Sequence, residues 1–561
     1  MAGDNSTSKP IPGKRLSVVT LTKGRTWDYI VIGGGTAGCV LANRLTEDPA
    51  TSVLLLEAGG SDASPYIQFP AGFFKLKPKY NWWYKPEPDP SVNGRIDPWA
   101  AGRVLGGSSS INATTWTRGH RLDFDRWAAE GCHGWDYDSV LPYYRRSETF
   151  SRGADHYRGG SGPQHVSFTG LNHPLTDVFI HASEQAGIAY NPDLNGARQE
   201  GVSHQQVLQK HGLRQSTARA YLLPVRRRSN LTVHTYATVS RIVTENGRAV
   251  GVEYRRKGQM VVARAEGEII LSAGSIASPK ILLLSGIGPA DDLRQHGITV
   301  VADATKVGRN LQEHPVAGLT FESNVPSLDT ERNLSGVIKH GLEFLLHGGG
   351  GSTAAGSTAV AFTKLAENHL QPDIEITFRP LGIAKDGNRK PSPSGETGFS
   401  GMKPMKIPAV QSLVWLCHPT SRGQVTLRSN NPSDAPVIHH ALLGEESDVK
   451  MLADGCRVVR KIFEQQAFRP YIKRELNPGS EVSSDKDFEL YLRKSAIHGY
   501  HPVGTCAMGS DTDSVVDPAL RVRGIDNLRV VDASIMPNLI SGHTNAPTVM
   551  IAERAADLIR A

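Results

Sequence analysis

Two histidines, a proline, two glycines and a cysteine lie close together in the segment HGYHPVGTCAMG, residues 498–509. His498 and His501 are three residues apart, and Cys506 follows five residues after His501. This spacing is compatible with half of a metal site, with a proton-transfer site, or with a turn that does no chemistry. A metal site needs further ligands from other segments. The elements elsewhere in the chain therefore decide among the three interpretations.

The length and composition of the chain narrow the classes of protein. A chain of 561 residues is too long for one hydrophobic core, which predicts two closely associated domains. The net charge of +7 is small and its basic residues are scattered, so a nucleic-acid partner is not expected. Five widely spaced cysteines predict neither a disulfide framework nor a zinc site. No apolar run has the length of a membrane span or a signal peptide, which predicts a cytoplasmic location and leaves peripheral contact with a membrane open.

A glycine-rich turn near the N-terminus follows a predicted strand. Tyr29–Ile32 is a short apolar run, typical of a strand buried in a parallel sheet. Gly33, Gly35 and Gly38 then give G-x-G-x-x-G, in which the glycines permit a sharp turn, a close approach to a pyrophosphate, and tight helix–strand packing. A helix over 37–46 would point its free N–H groups at the phosphates. The pattern predicts a dinucleotide site.

The second predicted strand of this unit ends in an acidic residue. Glu57 closes the run VLLLE and lies 19 residues after Gly38, a distance that suits an acceptor for ribose hydroxyls. An acid in this position argues against a ligand with a 2′-phosphate. NAD and FAD both remain open on these residues alone.

Several further segments resemble, in the same order, the conserved blocks of the glucose–methanol–choline oxidoreductases, flavoenzymes that oxidise alcohols. GRVLGGSSSINATTWTRGHRLDFDRWAAEG resembles their first signature, and LSAGSIASPKILLLSGIGP resembles their second. VGRNLQEHP, HPTSRGQVTLRS, YHPVGTCAMG and LRVVDASIMPNLISGHTNAPTVMIAERAADLI are similar to other family blocks. The resemblance runs from about residue 26 to the C-terminus, and within the family it is nearest to the choline-dehydrogenase-like branch.

This resemblance implies a mixed α/β (α+β) fold with two domains. A Rossmann-like domain would bind FAD, and a second domain with an antiparallel sheet would bind the substrate. The implied FAD-binding domain is discontinuous and comprises residues 26–150, 213–316 and 491–561. The implied substrate-binding domain comprises residues 151–212 and 317–490, and residues 1–25 would form an N-terminal extension.

The resemblance also implies which residues contact FAD. They are Gly33, Gly35, Thr36, Ala37, Gly38, Glu57, Ala58, Arg103, Gly107, Ser108, Asn112, Ala113, Thr114, Val239, Ala273, Tyr500, Asp532, Ala533, Asn545, Pro547 and Thr548. Some members attach the flavin covalently through a histidine at the position of Ile111. Isoleucine has no nucleophilic nitrogen, so non-covalent FAD is predicted. Asp532 has a simpler alternative as an N-cap or turn residue.

Oxidation of an alcohol by a flavin requires a base for the hydroxyl proton and a hydride acceptor, the flavin N5 atom. A neutral histidine suits the base, and a second histidine or an asparagine can donate to the developing alkoxide. The resemblance assigns these roles to His501 and Asn545. On an extended strand His498 would point away from His501, so a structural role is expected for it and for Cys506. His543 could tune the site or support it, and both roles stay open.

The sequence therefore predicts an FAD-dependent alcohol dehydrogenase or oxidase that converts a primary alcohol into an aldehyde and needs no metal. Its partners would be a small-molecule alcohol and an electron acceptor, either O₂ or a quinone. A hydroxynitrile lyase and a light-driven fatty-acid decarboxylase are alternatives with the same fold. A flavin-binding protein without activity is a weaker alternative, because its acid–base pair would be idle. The substrate, the acceptor and homo-oligomerisation stay open.

Overall fold

The computed structural model describes four stretches of the chain, residues 20–331, 333–354, 356–384 and 403–561. Residues 1–19 of the predicted N-terminal extension lie outside them. The first strand begins at Thr20, so the last residues of that predicted extension belong to a sheet.

Within the described residues, seven strands form the first sheet. Its parallel part runs in the order Leu231–His234, Val53–Leu56, Thr20–Ile32, Gln259–Leu271 and Leu528–Val530. All four residues of Val53–Leu56 are buried, as expected for a strand covered on both faces. This is the parallel sheet that the glycine-rich unit predicts.

A hairpin extends the first sheet. Ala237–Glu245 and Arg248–Arg256 pair antiparallel, and the second of them pairs with the N-terminal part of Gln259–Leu271. The turn residues Asn246 and Gly247 have φ of 51° and 75°. Positive φ at both positions matches the right-handed twist of hairpin strands, which is why Asn-Gly is favoured there.

Three helices pack against one another beside the first sheet. Thr36–Leu45 follows the glycine-rich turn, and eight of its ten residues are buried. It lies against Asn545–Arg560, the C-terminal helix, which in turn contacts Tyr137–Ser147. Two segments that are 509 positions apart in the sequence are therefore in contact, with Thr36 and Asn545 in one hydrogen bond.

In the part of the chain that the structure describes, a second sheet also has seven strands, and all their pairings are antiparallel. Across the sheet they are Ile472–Asn477, Pro315–Ser323, Ala409–Leu416, Ile374–Arg379, Ala359–Thr363 and Gly201–His204, with Ile497–His498 paired to Pro315–Ser323. Helices Pro174–Gln185 and Glu446–Phe463 cover one face.

Side chains on the second sheet alternate between two environments, as the pleat of a strand requires. On one strand Leu319 and Phe321 join the core under the helices, whereas Gly318 and Thr320 face a cavity between the two sheets. The neighbouring strand Ala409–Leu416 shows the same alternation. The second sheet is therefore a wall between a hydrophobic core and a cavity.

Smaller elements complete the fold. Short strands are Glu148–Phe150, Gln164–Phe168, Gln206–Lys210, Leu213–Arg214, Ile287–Gly288, Ala302–Asp303, Ile383–Ala384, Lys403–Pro404, Gln424–Thr426 and Val437–His439. The other α-helices are Pro65–Gln68, Arg121–Ala129, Leu223–Val225, Gly274–Leu284, Ala290–Gln295, Leu334–His347 and Asp485–Ser495. No helix among the residues described is both long and apolar enough to cross a membrane.

A buried carboxylate links the three helices that lie beside the first sheet. Glu553 lies on the C-terminal helix and is fully buried. Its Oε1 accepts hydrogen bonds from Arg44 Nη2 (2.8 Å) and Tyr221 Oη (2.7 Å). Its Oε2 accepts from Arg44 Nε (2.9 Å) and Arg146 Nε (2.8 Å). The desolvated charge is thus fully paired, which is the condition for keeping it buried.

Replacing this carboxylate should destabilise the fold strongly. Glu553→Gln leaves two guanidinium groups against a neutral amide, and breaking a buried ion pair costs about 3 kcal/mol or more. The control is Asp557→Asn, because Asp557 pairs with the same Arg146 at 2.9 Å but is 38% exposed. Its loss should cost less than about 1 kcal/mol. Urea denaturation measures both free energies, and equal losses would contradict this role for Glu553.

Candidate active site

The glycine-rich turn has the geometry of a phosphate-binding loop. Gly33 has φ of 103°, in the left-handed region that favours glycine. A Cβ on Gly38 would lie 1.9 Å from the carbonyl oxygen of Gly33, so only glycine lets the helix approach the strand this closely. Gly35 at the helix N-cap has no side chain to bond the first N–H groups. Gly35, Thr36 and Ala37 line a cavity, so the N-terminus of the helix lies at the cavity wall. Free N–H groups at a helix N-terminus favour an anion.

One continuous cavity of about 1520 Å³ runs from this turn to the second sheet. Most residues predicted to contact FAD line it: Gly33, Gly35, Thr36, Ala37, Glu57, Ala58, Arg103, Gly107, Ser108, Asn112, Ala113, Val239, Ala273, Tyr500, Asp532, Ala533, Asn545 and Thr548. His501 and His543 line it as well. The fold therefore brings together segments from both ends of the chain.

Three residues of the predicted set lie behind the cavity wall. Gly38 is inside the contact between the helix and Gly33. Thr114 is buried, and its hydroxyl accepts a hydrogen bond from Gln209 Nε2 at 3.1 Å. Pro547 is buried within the C-terminal helix. These residues shape the wall from behind.

Two acidic residues on the wall are held by backbone amides. Glu57 Oε2 accepts from the N–H of Gly34 (2.9 Å) and Oε1 from that of Gly59 (2.6 Å), while burial raises the pKa of Glu57 to about 7. Asp532 is the N-cap of a short 3₁₀ helix, with Oδ1 accepting from the N–H of Ser534 at 2.8 Å. The capping role considered for Asp532 is therefore present, at a position that also faces the cavity.

Unpaired polar atoms on the cavity wall fit a polar ligand. Among the described residues, Ser272 Oγ, Ser275 Oγ and Asn545 Nδ2 are buried without a hydrogen-bond partner, and all three residues line the cavity. A buried polar atom left unpaired costs free energy. With the glycine cradle and the cavity volume, these atoms fit a dinucleotide such as FAD. Ile111 packs in an apolar cluster with Val104 and is not itself among the residues that line the cavity.

The tautomer of His501 follows from its partner, His314. His314 Nε2 lies 3.1 Å from the carbonyl oxygens of Cys417 and Ile540, which only accept, so Nε2 carries the proton. Burial lowers the pKa of His314 to about 3, so its Nδ1 is an unprotonated acceptor. His501 Nδ1 lies 3.0 Å from that atom and must donate to it. The Nε2 atom of His501 is therefore left with a free lone pair.

Surrounding groups keep His501 neutral. Burial lowers the pKa of its ring well below the usual range, and the nearby His543 and His314 lower it further. The backbone N–H of His501 donates to both oxygens of Glu313, at 2.8 and 2.9 Å. The Glu313 carboxyl is buried, which raises its pKa to about 8. The arrangement fixes the backbone of His501 while leaving its ring uncharged.

His543 is held against His501 by the second sheet. Its Nε2 lies 3.1 Å from Glu375 Oε1 on the strand Ile374–Arg379. The centroids of the two imidazole rings are 4.6 Å apart, and the Trp415 ring stacks on His501 at 5.5 Å. His543 therefore packs against His501 and is held in place by Glu375.

His498 packs in an aromatic cluster with the rings of Trp99 (5.0 Å), His440 (5.4 Å) and Tyr500 (4.4 Å). The strand that contains it ends at His498, and Tyr500 has φ of 66°, so the chain between the two histidines is not extended. The assumption of an extended strand was wrong. The packing role nevertheless matches the observed contacts, although the residue also reaches the cavity wall.

Comparison with known proteins agrees with this geometry. The N-terminal family model described as "GMC oxidoreductase" matches residues 27–316, and the C-terminal one matches residues 419–552. The chain belongs to the GMC oxidoreductase family. This confirms the recognised resemblance, the mixed α/β fold with two sheets, the FAD cofactor and the oxidation of alcohol groups. The lyase and decarboxylase alternatives are not favoured.

Individual relatives cover nearly the whole chain. A mitochondrial choline dehydrogenase of Mus musculus is 43% identical over 98% of this chain and 92% of its own length. An alcohol dehydrogenase [acceptor] of Pseudomonas putida is 39% identical over 95% of both chains. The crystal structure of pyridoxine 4-oxidase from "Mesorbium loti" has a TM-score of 0.84 at 31% identity and covers 95% of this chain and 99% of its own.

Several residues of the site in this GMC oxidoreductase were not predicted. Glu313 and His314 lie in the block VGRNLQEHP, whose adjacent acid and histidine were a visible signal without an assigned role. Glu375 and Trp415 lie on strands of the second sheet, where apolar–polar alternation marks a strand but not which residue meets His501. Their roles depend on strand register, which local sequence does not specify.

The raised pKa of Glu313 predicts a pH-dependent stability. Because its folded pKa of about 8 exceeds the unfolded value, its contribution to stability is complete below about pH 4.3 and is lost as the pH rises through 8. Glu313→Gln cannot ionise, so its free energy of unfolding should fall less steeply than that of the wild type between about pH 6.5 and 8. The pKa values of His501 and His314 are lowered, so the contribution of these histidines to the stability of the fold is complete above about pH 6.5 and is lost as the pH falls.

Urea denaturation at a series of pH values measures this difference. The matched control is Glu489→Gln, because the side chain of Glu489 is 48% exposed and pairs with Arg493 at the surface. Its pH profile should run parallel to that of the wild type. Parallel profiles for Glu313→Gln as well would contradict a buried carboxyl that titrates near pH 8.

Proposed function

We propose that this enzyme oxidises a primary alcohol to the aldehyde with His501 as the base. The observation that carries the proposal is the free lone pair on His501 Nε2, which follows from the hydrogen bonds of His314. A neutral imidazole beside the substrate can accept the hydroxyl proton. The chemistry that FAD supplies when bound is the acceptance of the hydride.

The proton moves to one defined atom. His501 Nδ1 already donates to His314, so only Nε2 can take the hydroxyl proton. His314 cannot rotate freely, because its own Nε2–H is held between the carbonyls of Cys417 and Ile540. Burial and His543 disfavour the charged form of His501, so its ring is neutral and able to accept a proton when the alcohol arrives. His314 acts as a positioning residue for this step.

Asn545 is proposed as the hydrogen-bond donor to the substrate oxygen. The Thr36 hydroxyl donates to Asn545 Oδ1 at 3.1 Å, which turns the amide group so that Nδ2 is available. That atom is buried and has no partner within the described ranges. A preorganised donor at this point would stabilise the alkoxide as the proton leaves.

The cofactor is proposed to be bound without a covalent bond. Ile111 offers no nucleophilic atom and packs with the apolar side chains of Ile67, Phe73 and Val104.

The electron acceptor belongs to one of two classes, O₂ or a quinone, which parallel assays separate. We propose that the enzyme works in a reducing compartment such as the cytoplasm. The five cysteines, all within the described ranges, support it because they are buried and unpaired.

Removing the base should slow reduction of the flavin. His501→Ala should bind FAD normally but lower the rate of anaerobic flavin reduction by a primary alcohol about 10²–10⁴-fold. Stopped-flow absorbance of the bound flavin measures this rate. The control His181→Ala removes a histidine that is 71% exposed, and its rate should equal that of the wild type. A His501→Ala enzyme with bound flavin and an unchanged rate would refute the assignment.

A further inference from the structure

The cavity floor in the second sheet has two chemically distinct ends. Trp415, Leu413 and Gln411 alternate along one strand and all face the cavity. Trp415 stacks on His501 and marks the reactive end. Gln411 lies four residues away, which corresponds to about 13 Å along a strand. In the register of the sheet, Gln411 is opposite Arg379 on the neighbouring strand.

A cation with few partners occupies the distal end. Arg379 Nη2 donates to Gln411 Oε1, and Gln411 Nε2 in turn donates to Thr320 Oγ1 at 3.0 Å. Among the described residues, Arg379 Nε is buried without a hydrogen-bond partner and its guanidinium forms no ion pair. Asp329 acts on it only through space, and this carboxyl is itself buried and accepts from the N–H of Gly382 at 2.8 Å.

We propose that Arg379 binds a carboxylate on the substrate, so that the preferred alcohols carry an acidic group on the order of 10 Å from the hydroxyl. This inference rests on the proposed function, because His501 defines the end at which the hydroxyl reacts. Two features support a carboxylate. A guanidinium with an unused N–H matches its planar geometry, and burial strengthens the charge-assisted hydrogen bonds.

The same charge acts against cationic alcohols. Burial lowers the pKa of Arg379 to about 10, which leaves the guanidinium protonated at neutral pH. A second cation in the desolvated cavity would be repelled. The enzyme should therefore discriminate against choline, although mitochondrial choline dehydrogenase is a relative at 43% identity.

Matched substrates test the inference on the holoenzyme. The wild type should show a higher kcat/KM for ω-hydroxydecanoate than for decanol, and a low value for choline. Arg379→Gln should lower kcat/KM for the hydroxy acid about 10–100-fold, the loss expected for a charged hydrogen bond, while decanol changes less than about 2-fold. Arg379→Lys should restore part of the loss. Equal changes with both substrates, or a preference for choline, would overturn the inference.

A binding measurement separates this inference from the proposed function. Decanoate has no hydroxyl to oxidise, so its binding does not depend on catalysis. Perturbation of the bound flavin spectrum by decanoate should give a dissociation constant at least about 10-fold weaker in Arg379→Gln than in the wild type. Equal constants refute the carboxylate site. Flavin that no alcohol reduces, with decanoate still bound through Arg379, would instead refute the proposed function alone.

One helix at the surface, Leu334–His347, carries an exposed apolar stripe. On the helix Leu334–His347 six large apolar side chains are exposed by more than half: Leu334 (76%), Val337 (60%), Ile338 (54%), Leu342 (53%), Leu345 (79%) and Leu346 (71%). Their spacing places them on one side of the helix. His340, on the other side, is only 15% exposed and pairs with Glu331 and Glu343 at 3.0 Å. The apolar side of this amphipathic helix thus faces outward.

The segment beside this apolar stripe carries aromatic and cationic groups. Phe69 is 36% exposed, and its ring centroid lies 5.2 Å from that of Phe344 on the helix. The same segment continues through the exposed Lys75, Lys77 and Lys79. An apolar face bordered by an aromatic ring and lysines has the composition of a helix that lies in a membrane interface.

We infer that the stripe docks on an anionic lipid surface. Lys75, Lys77 and Lys79 of the segment that follows Phe69 complement acidic headgroups, because an anionic lipid surface attracts basic residues. The exposed leucine side chains, which water solvates poorly, would insert among the acyl chains. A second copy of the chain is the competing occupant, and the test includes it.

Vesicle sedimentation with the holoenzyme tests this docking. The wild type should pellet with vesicles of phosphatidylcholine and phosphatidylglycerol, and less with phosphatidylcholine alone or at high salt. Leu345→Glu with Leu346→Glu should lower the partition coefficient at least about 10-fold, because buried charge is costly in the interface. The control pair is Leu370→Glu with Leu490→Glu, at exposed leucines elsewhere (80% and 60%), and should not change binding.

Two outcomes would overturn the inference. One is a wild type that does not pellet with anionic vesicles, or an equal loss in both double variants. The other is a wild-type dimer in light scattering that the stripe variant converts to a monomer without any vesicle binding by either protein. That result would assign the stripe to a second copy of the chain.

Discussion

The site depends on a chain of hydrogen bonds that starts at two backbone carbonyls. Cys417 and Ile540 present oxygens that can only accept, and this fixes the proton of His314 on Nε2. The next bond then fixes the proton of His501 on Nδ1. The free lone pair on His501 Nε2 is thereby set by main-chain geometry in two distant segments. Side-chain chemistry alone would leave both tautomers accessible.

Burial allows this series of hydrogen bonds to fix the protonation of both histidines. In water an imidazole exchanges tautomers and titrates near neutral pH, whereas here desolvation lowers the pKa of both histidines. Burial has the opposite effect on the neighbouring carboxyl of Glu313: it raises the pKa, so this group is harder to ionise. The site therefore contains titratable groups held in their neutral forms, which suits the transfer of a proton without a permanent charge.

The second sheet supplies the other half of the site through the alternation of its strands. Residues facing the helices form a core, and residues facing the opposite way form a floor that runs from Trp415 to Gln411. On the neighbouring strand Ile374–Arg379, Glu375 and Arg379 are on the same face and are separated by one alternate residue, Thr377. The strand thus sets the separation between the end of the floor near His501 and the guanidinium of Arg379.

Local sequence determined much of this protein. The G-x-G-x-x-G turn, the hairpin at Asn246 and the ordered family blocks identified the FAD-binding fold, because each depends on residues close together in the chain. The same blocks pointed to His501 and Asn545. Tertiary structure alone decided that His314 meets His501 across 187 positions of sequence and that Glu375 anchors His543 across 168. Such pairs are set by strand register and domain packing, which depend on the whole chain.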